Sequence, residues 1–318
     1  LGTVDVNLVE QTPLVWEDRL VRFESIRTNY PFNVLNFTNS YFRYRDVETD
    51  TVLSQDVFGV GYAFGCAVVV KSVAYAFGTN YDTQSSSPPH GSLVKVFSTT
   101  DMKTFTQKTA LALPEGYQAF NTAVWPARGG FYMAIELGAP AAVVGARFTI
   151  VFAYTNATTP DQGWSLLDVM KHRYSPRFYS ACPTLRYELS TDAFYMTYLF
   201  NEGSGTRNGT YAQHIVKSRD LLTFEESPFN PILVHSGEET RIAEGVVLTP
   251  EERRMADACA AQDINDSDMD FVELLDPTDN SPYVHIDYNW GNQENSCEFL
   301  ATARFNGTLS TFLTQFFP

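Results

Sequence analysis

Two kinds of apolar segment alternate along the chain, and both recur. One is a β-rich run that leads into a Ser/Thr-Asp turn and closes at an aromatic residue. Its copies are Val94–Asp101 closing at Phe105, Thr149–Thr155 closing at Trp164, His214–Asp220 closing at Phe224, and, most loosely, Leu300–Thr308 closing at Phe312. The first three closing aromatics stand 59 and 60 residues apart. A period of that length suits one four-stranded sheet with its loops.

The second kind of segment precedes these runs and often ends in an acidic or amide residue. Its copies are Leu20–Glu24, Val73–Gly78, Phe131–Glu136, Phe194–Leu199 and Tyr283–Trp290. Ahead of each lies a further strand-like run, at Val4–Val15, Gly65–Val70, Asn121–Pro126, Ala181–Tyr187 and Asp268–Leu275. Five four-stranded units fill the 318 residues without a linker. The pattern predicts an all-β fold, a five-bladed β-propeller that forms a single domain over residues 1–318.

The last repeat is longer than the others, because 88 residues separate Phe224 from Phe312. The segment Thr249-Pro250-Glu251-Glu252 explains the excess. Thr before Pro, with Glu three residues after the Thr, is a capping box at the start of a helix. We therefore predict one helical insert through Ala260, between blades four and five.

Composition narrows the class of partner. The formal net charge of −15 disfavours binding to nucleic acid, which requires clustered Lys and Arg. No run of 18 uncharged apolar residues predicts a membrane span. Neutral or cationic partners are favoured.

Five Asn-x-Ser/Thr sequons favour a secreted glycoprotein. We expect glycans at Asn36, Asn156, Asn208 and Asn306, and the fifth sequon begins at Asn265. The chain opens at Leu1 without a leader segment, as a mature secreted protein does, so an extracellular location is expected.

Four cysteines allow three disulfide pairings, and the spacing does not choose among them. Cys259 and Cys297 fall around the same blade, which makes them the first candidate pair. Cys66 and Cys182 lie inside apolar strands, where buried free thiols are the alternative. No Cys-x-x-Cys or His-Glu-x-x-His spacing is present, so no zinc site is expected.

The candidate chemistry lies on inner strands, because the innermost strands of a propeller converge on a central channel. In Asn265–Glu273, strand periodicity puts Asp266, Asp268 and Asp270 on one face. Three like charges on one face call for a ligand, cation or hydrogen-bonding partner opposite. Calcium is the alternative occupant, although the Gly and Glu of a calcium loop are missing. We expect a substrate site and no cofactor.

Other acids interrupt or end apolar strands, namely Glu24, Glu136, Glu202 and Glu298. Each has a structural alternative, a salt bridge to an arginine such as Arg22, Arg27 or Arg241. Paired carboxylates on opposite sides of a sugar are the machinery of glycoside hydrolysis. The turn at Trp290, Asn292 and Gln293 offers an aromatic platform and amides for a sugar.

These segments carry a family resemblance over nearly the whole chain. Arg22–Tyr30, Ser218–Phe224, Asn265–Phe271 and Tyr288–Gln293 resemble five-bladed propeller glycosidases of the arabinanase, xylosidase and invertase type, and especially an uncharacterised bacterial glycosidase-like group. The Ser-x-Asp-Leu turn is common among propellers, whereas Asn-Asp-Ser-Asp-Met-Asp with Trp-Gly-Asn-Gln is more specific. The resemblance implies three inner carboxylates. The Asp-Pro segment that carries the first acid in that family is replaced here by Val4–Asn7 and Glu10.

We therefore predict a secreted glycoside hydrolase-like protein that acts on an oligo- or polysaccharide. Asp270 or Asp268 is the expected base, Glu136 the general acid, and Glu202 or Glu24 the group that tunes the acid. Arg27 and Asn121 are expected to orient hydroxyls, with Trp290, Asn292, Gln293 and Glu298 as further substrate contacts. The alternative is a non-catalytic carbohydrate-binding or structural extracellular glycoprotein on the same fold.

Overall fold

The computed structural model describes residues 2–6, 8–27, 40–54, 57–81, 87–145, 148–203, 210–293 and 297–318. Asn36, Asn208 and the side chain of Arg27, all named in the predictions above, lie outside the described residues. The chain is mostly β, as predicted, and its strands form several antiparallel sheets.

The strands, in chain order, are β1 (Gly2–Val6), β2 (Leu8–Trp16), β3 (Arg19–Arg27), β4 (Ser40–Asp46), β5 (Thr51–Val52), β6 (Ala63–Val70), β7 (Val73–Thr79), β8 (Leu93–Thr99), β9 (Thr106–Ala112), β10 (Gln118–Ala127), β11 (Gly130–Ala139), β12 (Thr149–Thr155), β13 (Ser165–Leu166), β14 (Arg173–Tyr174), β15 (Ser180–Glu188), β16 (Ala193–Asn201), β17 (Tyr211–Ser218), β18 (Glu225–Glu226), β19 (Asn265–Leu275), β20 (Pro282–Asn292) and β21 (Cys297–Asn306). The helices are α1 (Ala141–Val144), α2 (Pro250–Ala260) and α3 (Leu309–Thr314).

Neighbouring strands in sequence pair with each other, so the sheets follow chain order. Three sheets have the strand orders β2-β3-β4-β5, β6-β7-β8-β9 and β10-β11-β12-β13. In the third sheet, β14 also pairs with β12. Two further antiparallel sets, β15-β16-β17-β18 and β19-β20-β21-β1, are joined by a single parallel bridge between Tyr211 and Asn265.

The two ends of the chain meet in the last set of strands. β1 pairs antiparallel with β21, with Gly2 opposite Thr302, whereas β2 begins the first sheet. The run predicted as one strand from Val4 to Val15 is therefore divided between two sheets. This division covers the edge of β21, which would otherwise expose unpaired backbone groups.

The first strands of the five sets pack side by side. β2 contacts β6, β6 contacts β10, β10 contacts β15, β15 contacts β19, and β19 contacts β2 again. These contacts close a ring of five inner strands.

The apolar core lies between successive sheets, because each sheet buries both of its faces. Phe23 and Tyr44 of the first sheet pack with Phe97 of the second, and Phe77 of the second packs with Met133 of the third. Aromatic residues dominate these layers and supply large buried areas. The outer strands β5, β13 and β18 have only two residues each, which limits exposed sheet edge.

Helix α2 begins where the sequence predicted it. The Thr249 side chain accepts a hydrogen bond from the Glu252 backbone N–H at 3.2 Å, and Glu252 Oε2 accepts one from the Thr249 backbone N–H at 2.7 Å. A disulfide links Cys259 of this helix to Cys297 of β21. No helix among the described residues is both long enough and apolar enough to cross a membrane.

Candidate functional site

Each of the five inner strands carries a β-bulge against its partner strand. The register shifts lie between Leu8 and Gln11, Ala63 and Cys66, Ala119 and Thr122, Ala181 and Thr184, and Ser267 and Asp270. A bulge places an extra residue on one strand and re-aims its side chains. Four bulges contain a non-glycine residue in the left-handed region, Glu10 (φ 56°), Phe64 (58°), Cys182 (46°) and Asp268 (48°). Such strain clusters at functional sites.

The bulges surround a pocket of about 310 Å³, measured to include its open mouth. All five inner strands contribute to its wall, through residues that include Glu10, Cys66, Asn121, Cys182, Asp268 and Asp270. The pocket is therefore built where the five strands converge. Three carboxylates, two amides and two thiols are among the groups that line it.

The Cys182 thiol interacts electrostatically with three carboxylates in or behind the pocket wall. Burial raises the pKa of its thiol well above the usual value, and the negative charges of Asp268, Glu136 and Glu10 add to the effect. The thiol also hydrogen-bonds the Asp268 side chain. A thiol with a raised pKa stays protonated at neutral pH and donates to the carboxylate, so it is a poor nucleophile.

Cys66 is the second free thiol of the wall. Burial raises its pKa to about 12, and its sulfur lies 3.7 Å from the hydroxyl of Thr122. It too remains neutral at physiological pH.

Glu136 lies on β11, opposite the bulge of β10, and is almost fully buried. Its Oε2 atom accepts a hydrogen bond from Asn121 Nδ2 and another from the Cys182 backbone N–H, each at 2.9 Å. It thereby ties the bulges of β10 and β15 together. This carboxylate supports two residues of the pocket wall.

Asp270 lines the pocket but is held by an arginine. Arg186 donates to Asp270 Oδ1 and, at 2.5 Å, to the Phe271 carbonyl. The Arg186 guanidinium also lies 4.1 Å from the centre of the Trp125 ring. Burial raises the pKa of Asp270, and the Arg186 charge opposes that rise.

Asp266 departs from the predicted common face with Asp268 and Asp270. Asp268 and Asp270 line the pocket, whereas Asp266 does not and is completely buried. The cause is the bulge between Ser267 and Asp270, which breaks the alternation of side chains along β19.

Two of the predicted carboxylates lie away from the pocket wall. Glu24 is fully buried on β3 and forms ion pairs with Arg22, Arg43 and Arg45. Glu202 is exposed after the end of β16, where it lies 2.6 Å from Nε2 of His214.

The predicted sugar platform on β20 and β21 is also absent from the pocket wall. Trp290 is completely buried, stacks on Phe299, and donates through Nε1 to the Thr3 hydroxyl at 2.9 Å. The other residues of that group bond to neighbouring strands and loops: Glu298 to Ser267, Asn292 to the Gln262 carbonyl, and the Gln293 backbone N–H to Asn265.

The structure thus gathers Asn121, Asp268 and Asp270 at one pocket, with Glu136 immediately behind. It adds Cys182, which no sequence pattern indicates, and Glu10, which the sequence indicates only as part of the replacement for the first acid of the resembled family. Both occupy bulges, and a bulge leaves no compositional signal in a strand.

No family model and no curated protein matches the sequence. Among solved structures, the fold is similar to an N-acetylgalactosamine deacetylase from F. plautii in complex with blood group B trisaccharide, with a TM-score of 0.62, 9% identity, and coverage of 99% of this chain and 93% of that one. A second similar structure is a thermostable family-43 glycoside hydrolase, with a TM-score of 0.60 and 10% identity. The match covers 98% of this chain and 93% of that one. A third is a mutant of an α-L-arabinofuranosidase from Fusarium graminearum in complex with an iminosugar inhibitor, with a TM-score of 0.59 and 10% identity. The match covers 96% of this chain and 98% of that one. The expected resemblance to this class of glycosidase is confirmed at the level of the fold.

Proposed function

We propose that the chain is a five-bladed β-propeller with a helical insert before its last blade, and that it acts as a glycoside hydrolase. One observation carries the activity: Glu10 and Asp268, on the neighbouring inner strands β2 and β19, line the same polar pocket. Two carboxylates beside one sugar supply the acid and the base, or nucleophile, of glycoside hydrolysis.

Asp268 is the carboxylate that attacks the sugar or activates water. The Cys182 thiol donates a hydrogen bond to the Asp268 side chain and so helps to hold it in place. Glu10 is the general acid. The sequence predicts Glu136 as the general acid, and we assign it a positioning role instead. Its Oε2 already accepts two hydrogen bonds, which hold Asn121 and Cys182 in place.

The chemistry of the pocket favours a sugar as its ligand. The carboxylates and the Asn121 amide that line the pocket suit the hydroxyl groups of a sugar. We therefore infer that the protein acts on an oligo- or polysaccharide.

We also infer that the protein is secreted and glycosylated. The disulfide between Cys259 and Cys297 is typical of an oxidising compartment. Asn156 and Asn306 are exposed and accessible to a glycosyltransferase, whereas the sequon at Asn265 is fully buried.

The test is hydrolysis of a panel of plant and algal oligosaccharides by the wild type, Glu10→Gln and Asp268→Asn. We expect both variants to lose at least about 100-fold in kcat/KM, because each removes one half of the catalytic pair. Glu202→Gln, an exposed carboxylate outside the pocket, is the matched control and should keep wild-type turnover. Binding of a glycan without turnover by the wild type would support the carbohydrate-binding alternative instead.

A further inference from the structure

A second group of acidic side chains gathers beside the start of β19, outside the lining of the pocket. His235, Glu239 and Asp263 each offer one ligand atom, and these three atoms all lie within 4.8 Å of one another. His235 and Glu239 belong to the irregular segment before α2, and Asp263 lies between α2 and β19. Such spacing is compatible with ligands around one metal ion, whose bonds to nitrogen and oxygen are about 2.0–2.2 Å long.

Asp266, at the start of β19, is a fully buried carboxylate near this group. Neither of its oxygens has a hydrogen-bond partner among the described residues. Burial raises the pKa of Asp266 well above its usual range, and the charges of Glu239 and Asp263 raise it further. Its carboxylate therefore lies within electrostatic reach of both other acids. A buried carboxylate without a partner carries a large desolvation penalty.

No basic side chain neutralises this group. Within the part of the chain that the structure describes, no Lys or Arg forms an ion pair with Glu239, Asp263 or Asp266. This distinguishes the group from Glu24 and Asp270, which are both paired with arginines. A bound cation supplies the missing positive charge.

Backbone contacts hold two of these carboxylates in place. Glu239 Oε1 accepts hydrogen bonds from the backbone N–H groups of Ser236 and Gly237 at 2.7 and 2.9 Å. Asp263 Oδ1 accepts one from Gly291 at 3.0 Å, whereas Asp263 Oδ2 has no partner among the described residues. Outer contacts of this kind orient metal ligands.

We propose that His235, Glu239 and Asp263 form a binding site for a divalent transition-metal ion of the Zn²⁺ class, beside the buried carboxylate of Asp266. One imidazole and two carboxylates make a mixed nitrogen and oxygen donor set that suits such an ion. Ca²⁺ prefers six to eight oxygen ligands and is the less suitable occupant. The sequence predicts no zinc site, because it contains no Cys-x-x-Cys or His-Glu-x-x-His spacing.

The site has a structural role, since it joins segments that close the fold. The Glu239 carbonyl accepts a hydrogen bond from the Thr3 hydroxyl at 2.8 Å, and Thr3 belongs to β1, the strand that completes the last set. Ala243 donates its backbone N–H to the Thr3 carbonyl at 2.9 Å. A metal ion bound here ties the segment from 235 to 243 to the start of β19.

The experiment is Zn²⁺ titration of the chelator-treated full chain by calorimetry, with metal content measured by mass spectrometry and unfolding followed by circular dichroism. We expect one Zn²⁺ per chain and a rise in Tm with Zn²⁺ concentration, because a ligand that binds only the folded state stabilises it. His235→Ala should weaken binding at least about tenfold. Glu238→Gln, an exposed neighbour outside the group, is the matched control and should bind Zn²⁺ as the wild type does.

Asp266→Asn separates loss of metal binding from loss of folding. In chelator this variant should be at least as stable as the wild type, because it removes an unpaired buried charge. Zn²⁺ should also stabilise this variant less than it stabilises the wild type, because the substitution removes a negative charge near the ion. The proposal is overturned if the wild type binds no Zn²⁺, if His235→Ala and Asp266→Asn bind it with unchanged affinity, or if Ca²⁺ binds more tightly than Zn²⁺.

Discussion

Arg186 and Asp270 form a buried ion pair at the wall of the pocket. Arg186 reaches from β15 to β19, so the pair joins two neighbouring inner strands. An acid held in this way is suited to shaping the pocket, whereas Glu10 and Asp268 remain the candidates for catalysis.

Removing one partner of this pair should therefore destabilise the fold. We expect Asp270→Asn to lower the free energy of unfolding by about 3–5 kcal/mol, because it leaves the Arg186 charge buried and uncompensated. Urea unfolding followed by tryptophan fluorescence measures the change. Arg186→Met combined with Asp270→Asn should recover part of the loss, since no unpaired charge remains. A single Asp270→Asn variant of wild-type stability would contradict the argument.

The charge of Asp268 should control the reactivity of Cys182. Because Asp268 raises the pKa of this thiol, Asp268→Asn should lower that pKa and increase the thiolate fraction. We expect iodoacetamide to alkylate Cys182 several-fold faster in the variant at pH 8.5, as measured by mass spectrometry of the Cys182 peptide.

Glu202→Gln is the control for that measurement, because Glu202 lies outside the pocket and is not among the groups that shift the Cys182 pKa. Its alkylation rate should equal that of the wild type. Equal rates in Asp268→Asn and the wild type would remove Asp268 from contact with the thiol.

Local features of the chain predicted much of the secondary structure. The Ser/Thr-Asp turns marked the ends of β8 and β17, and the capping box at Thr249 marked the start of α2. The candidate pair of cysteines, Cys259 and Cys297, forms the disulfide. Each of these signals depends on residues close together in the sequence, or on the assignment of both cysteines to one repeat.

The site was less predictable, because it depends on contacts between distant strands. A bulge shifts the register by one residue and reverses which side chains face the pocket, as Asp266 and Asp268 show. The sequence predicts Trp290 as an aromatic platform for a sugar. In the structure Trp290 is buried in the core, where it contacts Thr3 of β1 and Phe299 of β21. Arg22, a candidate partner from the sequence, lies on the same strand as Glu24 and pairs with it. Arg43 and Arg45, which also pair with Glu24, and Arg186, which pairs with Asp270, lie on other strands and could not be assigned from spacing.

The Ser/Thr-Asp turns should make the fold sensitive to acid. Backbone N–H groups of Thr223 and Leu222 donate to Asp220 at 2.8 and 2.9 Å, and they lower the pKa of its carboxyl. Asp101 accepts the same kind of bonds in the equivalent turn after β8, and its pKa is lowered as well. A carboxyl with a lowered pKa in the folded state stabilises the fold above its unfolded pKa, near 3.9.

That stabilisation is lost as the pH falls through the folded pKa. We therefore expect the free energy of unfolding to decrease between about pH 5 and pH 2. In Asp220→Asn the decrease should be smaller, because the amide does not titrate, and at pH 7 the variant should lose at most about 1 kcal/mol. Urea unfolding at pH 7 and pH 3 measures both values. Glu115→Gln, which removes an exposed carboxylate outside these turns, should retain the full acid dependence, and an Asp220→Asn variant with that same full dependence would refute the role of the turn.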